Sequence, residues 1–324
     1  MAVYTEVSDE QLSDFVERYE LGSLLSFKGI AEGVENTNYL VHTDKGPFIL
    51  TLYEKRVRRE DLPFFLGLLE HLADSGLNCP TPLRDREGQI FSELAGRPAA
   101  FVTFLEGLWI RRPQALHCSA VGKVLAELHL RGANFSRTRE NALSVSSWRP
   151  LYLQFGDEAN KIVPGLSEHI QEELNVLESV WPESLPRGII HADLFPDNVF
   201  FLGDKLSGLI DFYFACTDMF AYDLAICLNA WCFEPDNSFN VTKARALLKG
   251  YGRVRTIEDE EIEALPMLCR GAALRFLLTR VHDWLNTAAE ALVRPKDPLE
   301  YFRKLRFHRQ VSSAREYGLE HGSD

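Results

Sequence analysis

Six cysteines are all that this 324-residue chain has, and their spacing pairs none of them. Cys79, Cys118, Cys216, Cys227, Cys232 and Cys269 are scattered, form no C-x-x-C motif, and the nearest two lie in an apolar segment. This reads as free core thiols in a reducing compartment, not as a disulfide framework or a zinc site. Basic charge is also in deficit: 35 Lys and Arg stand against 47 Asp and Glu, a formal net charge of −12. A nucleic acid or an anionic membrane needs a basic field, so neither is expected as the main partner. No apolar run approaches the ~18 residues of a membrane span. The opening MAVYTEVSDE lacks the basic and apolar regions of a signal peptide. A cytoplasmic protein, monomeric or homodimeric, is the expectation. There is no internal repeat and no low-complexity tract. A P-loop is missing as well, since the Gly122-Lys123 pair lacks both the upstream glycine and the following Ser or Thr.

What is present is ordinary globular composition, 46% hydrophobic and 25% charged, in a length that suits two domains or two lobes. Ser8 and Gln11 form a capping-box pattern that predicts a first helix to about Tyr19. Two β-rich runs, 38–43 and 47–53, flank the turn signal Asp44-Lys45-Gly46 and predict an antiparallel hairpin, entered through a glycine-containing loop. A helix over 62–73 and further short strands follow. After Gly107 the pattern turns helical: Leu116, Ala120, Val121, Val124, Leu125 and Leu128 share one face, as do Leu166, Ile170, Leu174 and Leu177. Helices are also predicted over 222–233, 241–250, 258–286 (broken or kinked at Pro266) and 298–317. A β-rich island at 188–212 interrupts them. The expected fold class is therefore α+β. It divides into a sheet-rich lobe, residues 1–104, and a mostly helical lobe, residues 105–324, with an embedded hairpin and a cleft for ligands between the lobes.

The island carries the chemistry. His191, Asp193 and Asn198 in HADLFPDN precede a predicted hairpin that ends at Asp211. A hairpin brings its ends together, so Asn198 and Asp211 are expected to face one point, with Asp193 on the loop before them. Their donors are all oxygen, the preference of Mg²⁺, which takes one or two protein oxygens plus phosphates and water. The spacing is that of a kinase catalytic loop, H-x-D-x-x-x-x-N, followed by an Asp-Phe pair, here Asp211-Phe212. In that reading Asp193 accepts the proton of an attacking hydroxyl, while Asn198 and Asp211 hold magnesium on the phosphates. Each residue alone would read as a turn or core polar group; the set together favours catalysis.

With these motifs in view, the chain resembles the aminoglycoside phosphotransferase and choline kinase group of protein-kinase-like enzymes. That group carries H-G-D-x-x-x-x-N, an aspartate after the hairpin, and a later Y-D-L-A, here Tyr222-Asp223-Leu224-Ala225. The resemblance implies that Asp223 and His191 support the catalytic loop. The short 211–223 interval, the absence of A-P-E, and Phe195 where protein kinases place a lysine all argue against a polypeptide substrate. ATP would lie under the loop 28–38, with Gly29, Gly33, Asn36 and Asn38, and against the hinge at Phe104 and Glu106. The usual phosphate-pairing lysine is replaced by Thr51, with Lys55 nearby; Glu70, the usual acidic partner, then loses its ion pair.

Across residues 3–311 the resemblance narrows to the homoserine kinases of this fold, which also carry the threonine in LTL. It implies ATP- and Mg²⁺-dependent phosphorylation of L-homoserine in threonine biosynthesis. Candidates for the substrate's zwitterion are Tyr213, Asp218, Trp231, Arg275 and Arg280. The rival readings are a kinase for another small alcohol (choline, methylthioribose or an aminoglycoside) and a nucleotide-binding module without turnover.

Overall fold

The computed structural model describes residues 5–30, 36–54, 57–287 and 295–319. The chain forms two compact units. The first comprises Met1–Gly107 and Ser207–Tyr213; the second comprises most of the remainder.

In the first unit, five strands form one antiparallel sheet: β1 (Leu24–Gly29), β2 (Thr37–Thr43), β3 (Gly46–Leu52), β4 (Ser92–Leu94) and β5 (Arg97–Thr103). Their order is β1-β2-β3-β5-β4. Burial alternates along β2, with Thr37, Tyr39, Val41 and Thr43 inward, as a half-buried strand requires. Helix α1 (Asp9–Arg18) starts at the expected capping box: Ser8 Oγ accepts from the Gln11 amide at 3.2 Å and Gln11 Oε1 accepts from the Ser8 amide at 3.1 Å. Its Leu12, Phe15 and Val16 pack with Tyr39, Val41, Leu50 and Phe101 in one core. Helix α2 (Leu62–Asp74) contributes Leu62 and Leu66 to a second cluster with Tyr53 and Ala100. Strand β1 lies ahead of the expected hairpin, where no strand was predicted, and its last two residues fall in the expected loop. Its hydrophobic alternation is faint, but Phe27 meets Tyr39 edge-on at 5.8 Å and the backbone pairs with β2.

The second unit contains α3 (Ala115–Gly132), α4 (Val145–Tyr152), α5 (Leu166–Val180), α6 (Phe220–Trp231), α7 (Val241–Gly252), α8 (Asp259–Asn286) and α9 (Pro298–His308). Strand β6 (Arg187–Ile190) pairs antiparallel with β9 (Cys216–Met219). Strands β7 (Val199–Leu202) and β8 (Lys205–Leu209) form the expected hairpin. Helices α3 and α7 meet backbone to backbone. A methyl on Gly122 would lie 2.0 Å from the Leu247 carbonyl oxygen, and one on Gly250 would lie 2.1 Å from that of Ser119. Helix α8 runs without a break through Pro266, where a break or a kink was expected. The final helix stops at His308, shorter than expected. Ser313 and Glu316 instead bond nearby backbone amides and shape a separate 3-10 turn, Ala314–Tyr317.

Candidate active site

The loop between β6 and β7 holds His191, Asp193 and Asn198, and the structure brings these three together. Asn198 Nδ2 donates to the Asp193 carbonyl at 2.8 Å and reaches Asp193 Oδ2 at 3.4 Å. Its Oδ1 accepts no hydrogen bond among the described residues and is left as an open oxygen donor. The Asp193 amide donates to His191 Nδ1 at 3.3 Å, which fixes the turn between them. Ala192 takes φ +62, a left-handed conformation rare for a residue with a Cβ. The structure holds it there from both sides. Its amide donates to Asp223 Oδ1 at 2.9 Å, and its carbonyl accepts from Arg275 Nη1.

Asp223, in the first turn of α6, is fully buried and accepts three hydrogen bonds. Besides Ala192, the His191 amide donates to Oδ2 at 2.7 Å and His129 Nε2 lies 3.1 Å from Oδ2. Burial works to raise this carboxyl. The hydrogen bonds from His129 and from the His191 amide outweigh it and hold the group below the ordinary range. Burial pushes His129 down despite the neighbouring Asp223, so the imidazole stays neutral. Its Nε2–H then donates to Asp223, and its Nδ1 accepts from Tyr251 OH at 2.7 Å. Arg255 donates to that phenol at 3.2 Å and to both oxygens of Glu261. A buried polar chain therefore runs from α8 through α7 and α3 to the loop. Sequence reasoning missed His129. The available signal was a polar residue on the otherwise apolar face of Val121, Leu125 and Leu128.

The remaining expected residues fall as follows. Asp211 has φ +63 and follows β8 in the first unit. Thr51, 3% exposed, donates to Asn38 Oδ1 at 2.7 Å. Asn36 Oδ1 accepts from the Glu54 amide at 3.2 Å. Gly29 ends β1, and Phe104 and Glu106 follow β5 with exposed side chains. Gly33 and Lys55 lie outside the described residues. Glu70 is engaged by Arg84, whose Nε and Nη2 reach it at 3.0 and 2.8 Å. Tyr213 OH lies 3.3 Å from Tyr53 OH, and burial, with Asp211, pushes its phenol up to about 12.

The other substrate candidates are bound up in protein contacts. Asp218 accepts from Asn141 at 2.8 Å and from the Met219 amide at 2.8 Å. Trp231 donates its indole N–H to the Leu194 carbonyl at 2.7 Å. Arg280 donates to Glu300 at 2.7 Å and to the Asp297 carbonyl at 2.9 Å. Arg275 braces Ala192, as above. Among the described residues no three His, Cys, Asp or Glu side chains cluster as a metal site. A magnesium ion that keeps phosphate and water ligands needs only one or two protein oxygens. The open Oδ1 of Asn198 is an oxygen of the kind such an ion takes.

The model of the phosphotransferase enzyme family matches residues 26–257. A homoserine kinase of Bradyrhizobium diazoefficiens is 65% identical over 320 residues, covering 98% of each chain. Another, from Nitrobacter winogradskyi, is 64% identical over 319 residues and again covers 98% of each. Among solved structures, choline kinase from Cryptosporidium parvum aligns with a TM-score of 0.70 at 14% identity, over 95% of this chain and 96% of that one. A spectinomycin phosphotransferase, solved with ADP and spectinomycin, aligns at 0.66 and 16% identity over 96% and 97%. The fold is thus that of the small-molecule kinases, α+β with an antiparallel sheet. By its match to the family model and its similarity over nearly its whole length, the chain belongs to the phosphotransferase enzyme family and, within it, to the homoserine kinases.

Proposed function

We propose that this chain transfers the γ-phosphoryl group of ATP to the side-chain hydroxyl of L-homoserine, giving O-phospho-L-homoserine and ADP for threonine biosynthesis. The observation that carries the reading is the identity of 62–65% with homoserine kinases over almost the full chain. The braced Asp193 loop supports it. In this reading residues 1–104 bind the nucleotide, and residues 105–324 carry the catalytic loop and the acceptor.

Asp193 orients the hydroxyl and accepts its proton as the oxygen attacks Pγ. The bond from Pγ to the β,γ-bridging oxygen breaks, and ADP carries the electron pair away. Such transfer depends mainly on positioning and charge neutralisation. Asn198 Oδ1 and Asp211 would hold Mg²⁺, which when bound neutralises phosphate charge. The rigid anchoring of Ala192, His191 and Leu194 supports the Asp193 backbone from both sides. Gly29, Asn38 and the Thr51 region would face the phosphates, with Phe104 and Glu106 beside the adenine.

The test is ADP release with L-homoserine, choline, methylthioribose and an aminoglycoside offered separately. L-homoserine should give the highest kcat/KM by a wide margin. Asp193→Asn should remove most turnover while ATP binding persists. A higher kcat/KM for another alcohol, or near-normal kcat in Asp193→Asn, would overturn the corresponding part of the reading.

A further inference from the structure

A cavity of about 1060 Å³ opens in the second unit, with Pro196 of the catalytic loop and Trp231 in its wall. The same Trp231 holds the Leu194 carbonyl through its indole N–H, so the cavity adjoins the segment that carries Asp193. In a chain of net charge −12, its wall has five basic side chains against three acidic ones. The acids already have protein partners. Glu300 is engaged by Lys304 and Arg280, both at 2.7 Å. Asp297 caps α9 through the Leu299 amide. Glu234 takes Lys243 at 2.6 Å and Asn240 at 2.7 Å on one oxygen, Oε1. Its Oε2 carries no hydrogen bond among the described residues.

Two of the cations differ from the rest. Arg112 and Arg303 have neither an ion-pair partner nor an aromatic face beneath them among the described residues. Lys243 and Lys304 are neutralised by Glu234 and Glu300, and Arg111 lies over Trp109. Glu234 sits in a rigid turn: its amide bonds the Ser238 carbonyl at 2.8 Å, and the Asn240 amide bonds the Cys232 carbonyl at 2.7 Å. The wall therefore offers two unmatched guanidinium groups and one half-used, firmly placed carboxylate. That is the complement of a ligand carrying both an anion and a cation. A quaternary amine or a polycation would find the wrong excess of charge.

We propose that this cavity receives the amino-acid end of the acceptor, with Arg112 and Arg303 taking the α-carboxylate and Oε2 of Glu234 taking the α-ammonium. The assignment rests on the reading of the acceptor as a hydroxyl-bearing α-amino acid. It replaces Arg275 and Arg280, whose guanidinium groups bond Ala192 and Glu300, as the carboxylate ligands.

The experiment compares wild type with Arg303→Gln, Arg112→Gln and Glu234→Gln. L-homoserine and 3-aminopropan-1-ol, which lacks the carboxylate, serve as acceptors, and L-homoserine binding is measured by calorimetry. Each arginine variant should raise KM for L-homoserine about tenfold or more, the loss of one charge-assisted hydrogen bond, with KM for ATP unchanged. The amino alcohol should not distinguish wild type from the arginine variants, since it presents no carboxylate. Glu234→Gln should weaken both acceptors. If wild type phosphorylates L-homoserine and both arginine variants keep its KM within twofold, the cavity assignment is wrong and the kinase reading stands. If wild type shows no turnover with L-homoserine but binds it in an Arg303-dependent way, the cavity stands and the kinase reading falls. Melting curves that match wild type confirm that the variants are folded.

Discussion

Replacing Asp223 by Asn tests whether the catalytic loop is held by charge. The carboxylate accepts from the His191 amide and His129 on Oδ2, and from the Ala192 amide on Oδ1. Asparagine has one oxygen. If it occupies the Oδ2 position, its NH₂ faces the Ala192 amide, donor against donor. If it is reversed, the His191 amide is orphaned instead. Either way one buried backbone N–H loses its acceptor, a cost of about 1–3 kcal/mol. The bonds that survive lose charge assistance, so the total destabilisation should be about 3–5 kcal/mol, in the range for breaking a buried charged network. Ala192 is held at φ +62 against a left-handed penalty of roughly 1–2 kcal/mol, which favours its relaxation once the anchor weakens. Relaxation there moves Asp193, and a misplacement of ~1 Å can cost ~100-fold in rate. Urea unfolding and steady-state kinetics check both parts. We expect kcat to fall about 100-fold with KM for ATP changed by less than about threefold. A variant that keeps its kcat and loses under ~1 kcal/mol would refute the argument.

Gly250→Ala should destabilise the protein by about 3 kcal/mol, because the added methyl meets the Ser119 carbonyl, a backbone atom that cannot rotate away. It should also lower kcat, since α7 carries the Tyr251 that holds His129; denaturation and kinetics on one preparation check both. His308→Gln should flatten the dependence of stability on pH. Burial, reinforced by Lys304, lowers His308 from 6.5 to about 3. The unfolded chain is therefore protonated first, so this stability is complete above pH 6.5 and is lost towards pH 3. The slope is about 1.4 kcal/mol per pH unit. Between pH 6 and 5 the unfolding free energy should fall by about 1 kcal/mol less in the variant than in wild type. Thr51→Val removes the donor to Asn38 and should cost about 1–2 kcal/mol in urea unfolding.

Helices with strong amphipathic faces and the hairpin with its Asp-Lys-Gly turn could be read from the sequence, since local periodicity and turn chemistry determine them. So could the loop HADLFPDN, where polar types recur at a spacing that only a catalytic loop needs. Strands β1 and β9 could not. β1 is a half-buried edge strand, and CTDM owes its pairing to β6, far upstream. Arg275, expected at the substrate, meets a loop carbonyl 83 residues away, and Trp231, which lines the cavity, meets another at a separation of 37. Nothing local to either one encodes that partner. The cavity residues were invisible for the same reason: Arg112, Glu234 and Arg303 belong to three separate segments and meet only in the folded wall.

The way the loop is held explains why these particular residue types do the holding. Asp223 and Trp231 lie eight positions apart on α6, little more than two turns along the helix and about 80° around its axis. One takes the amides at the start of the loop, and the other reaches the carbonyl of Leu194. Arg275 comes from α8 to the Ala192 carbonyl. The Ala192 amide thus meets an anion and its carbonyl meets a cation, which resists relaxation of either neighbouring peptide. Arg275 accepts an imperfect environment to do this. Its Nε is buried with no hydrogen-bond partner among the described residues, and its charge is partly balanced by the faces of Phe214 and Phe276. Leaving such a donor unmet is costly. A lysine would bury no Nε, but it would give up the stacking that keeps a guanidinium between two rings. The left-handed turn before Asp193 therefore depends on an arginine that leaves one buried donor unmet while it holds that carbonyl.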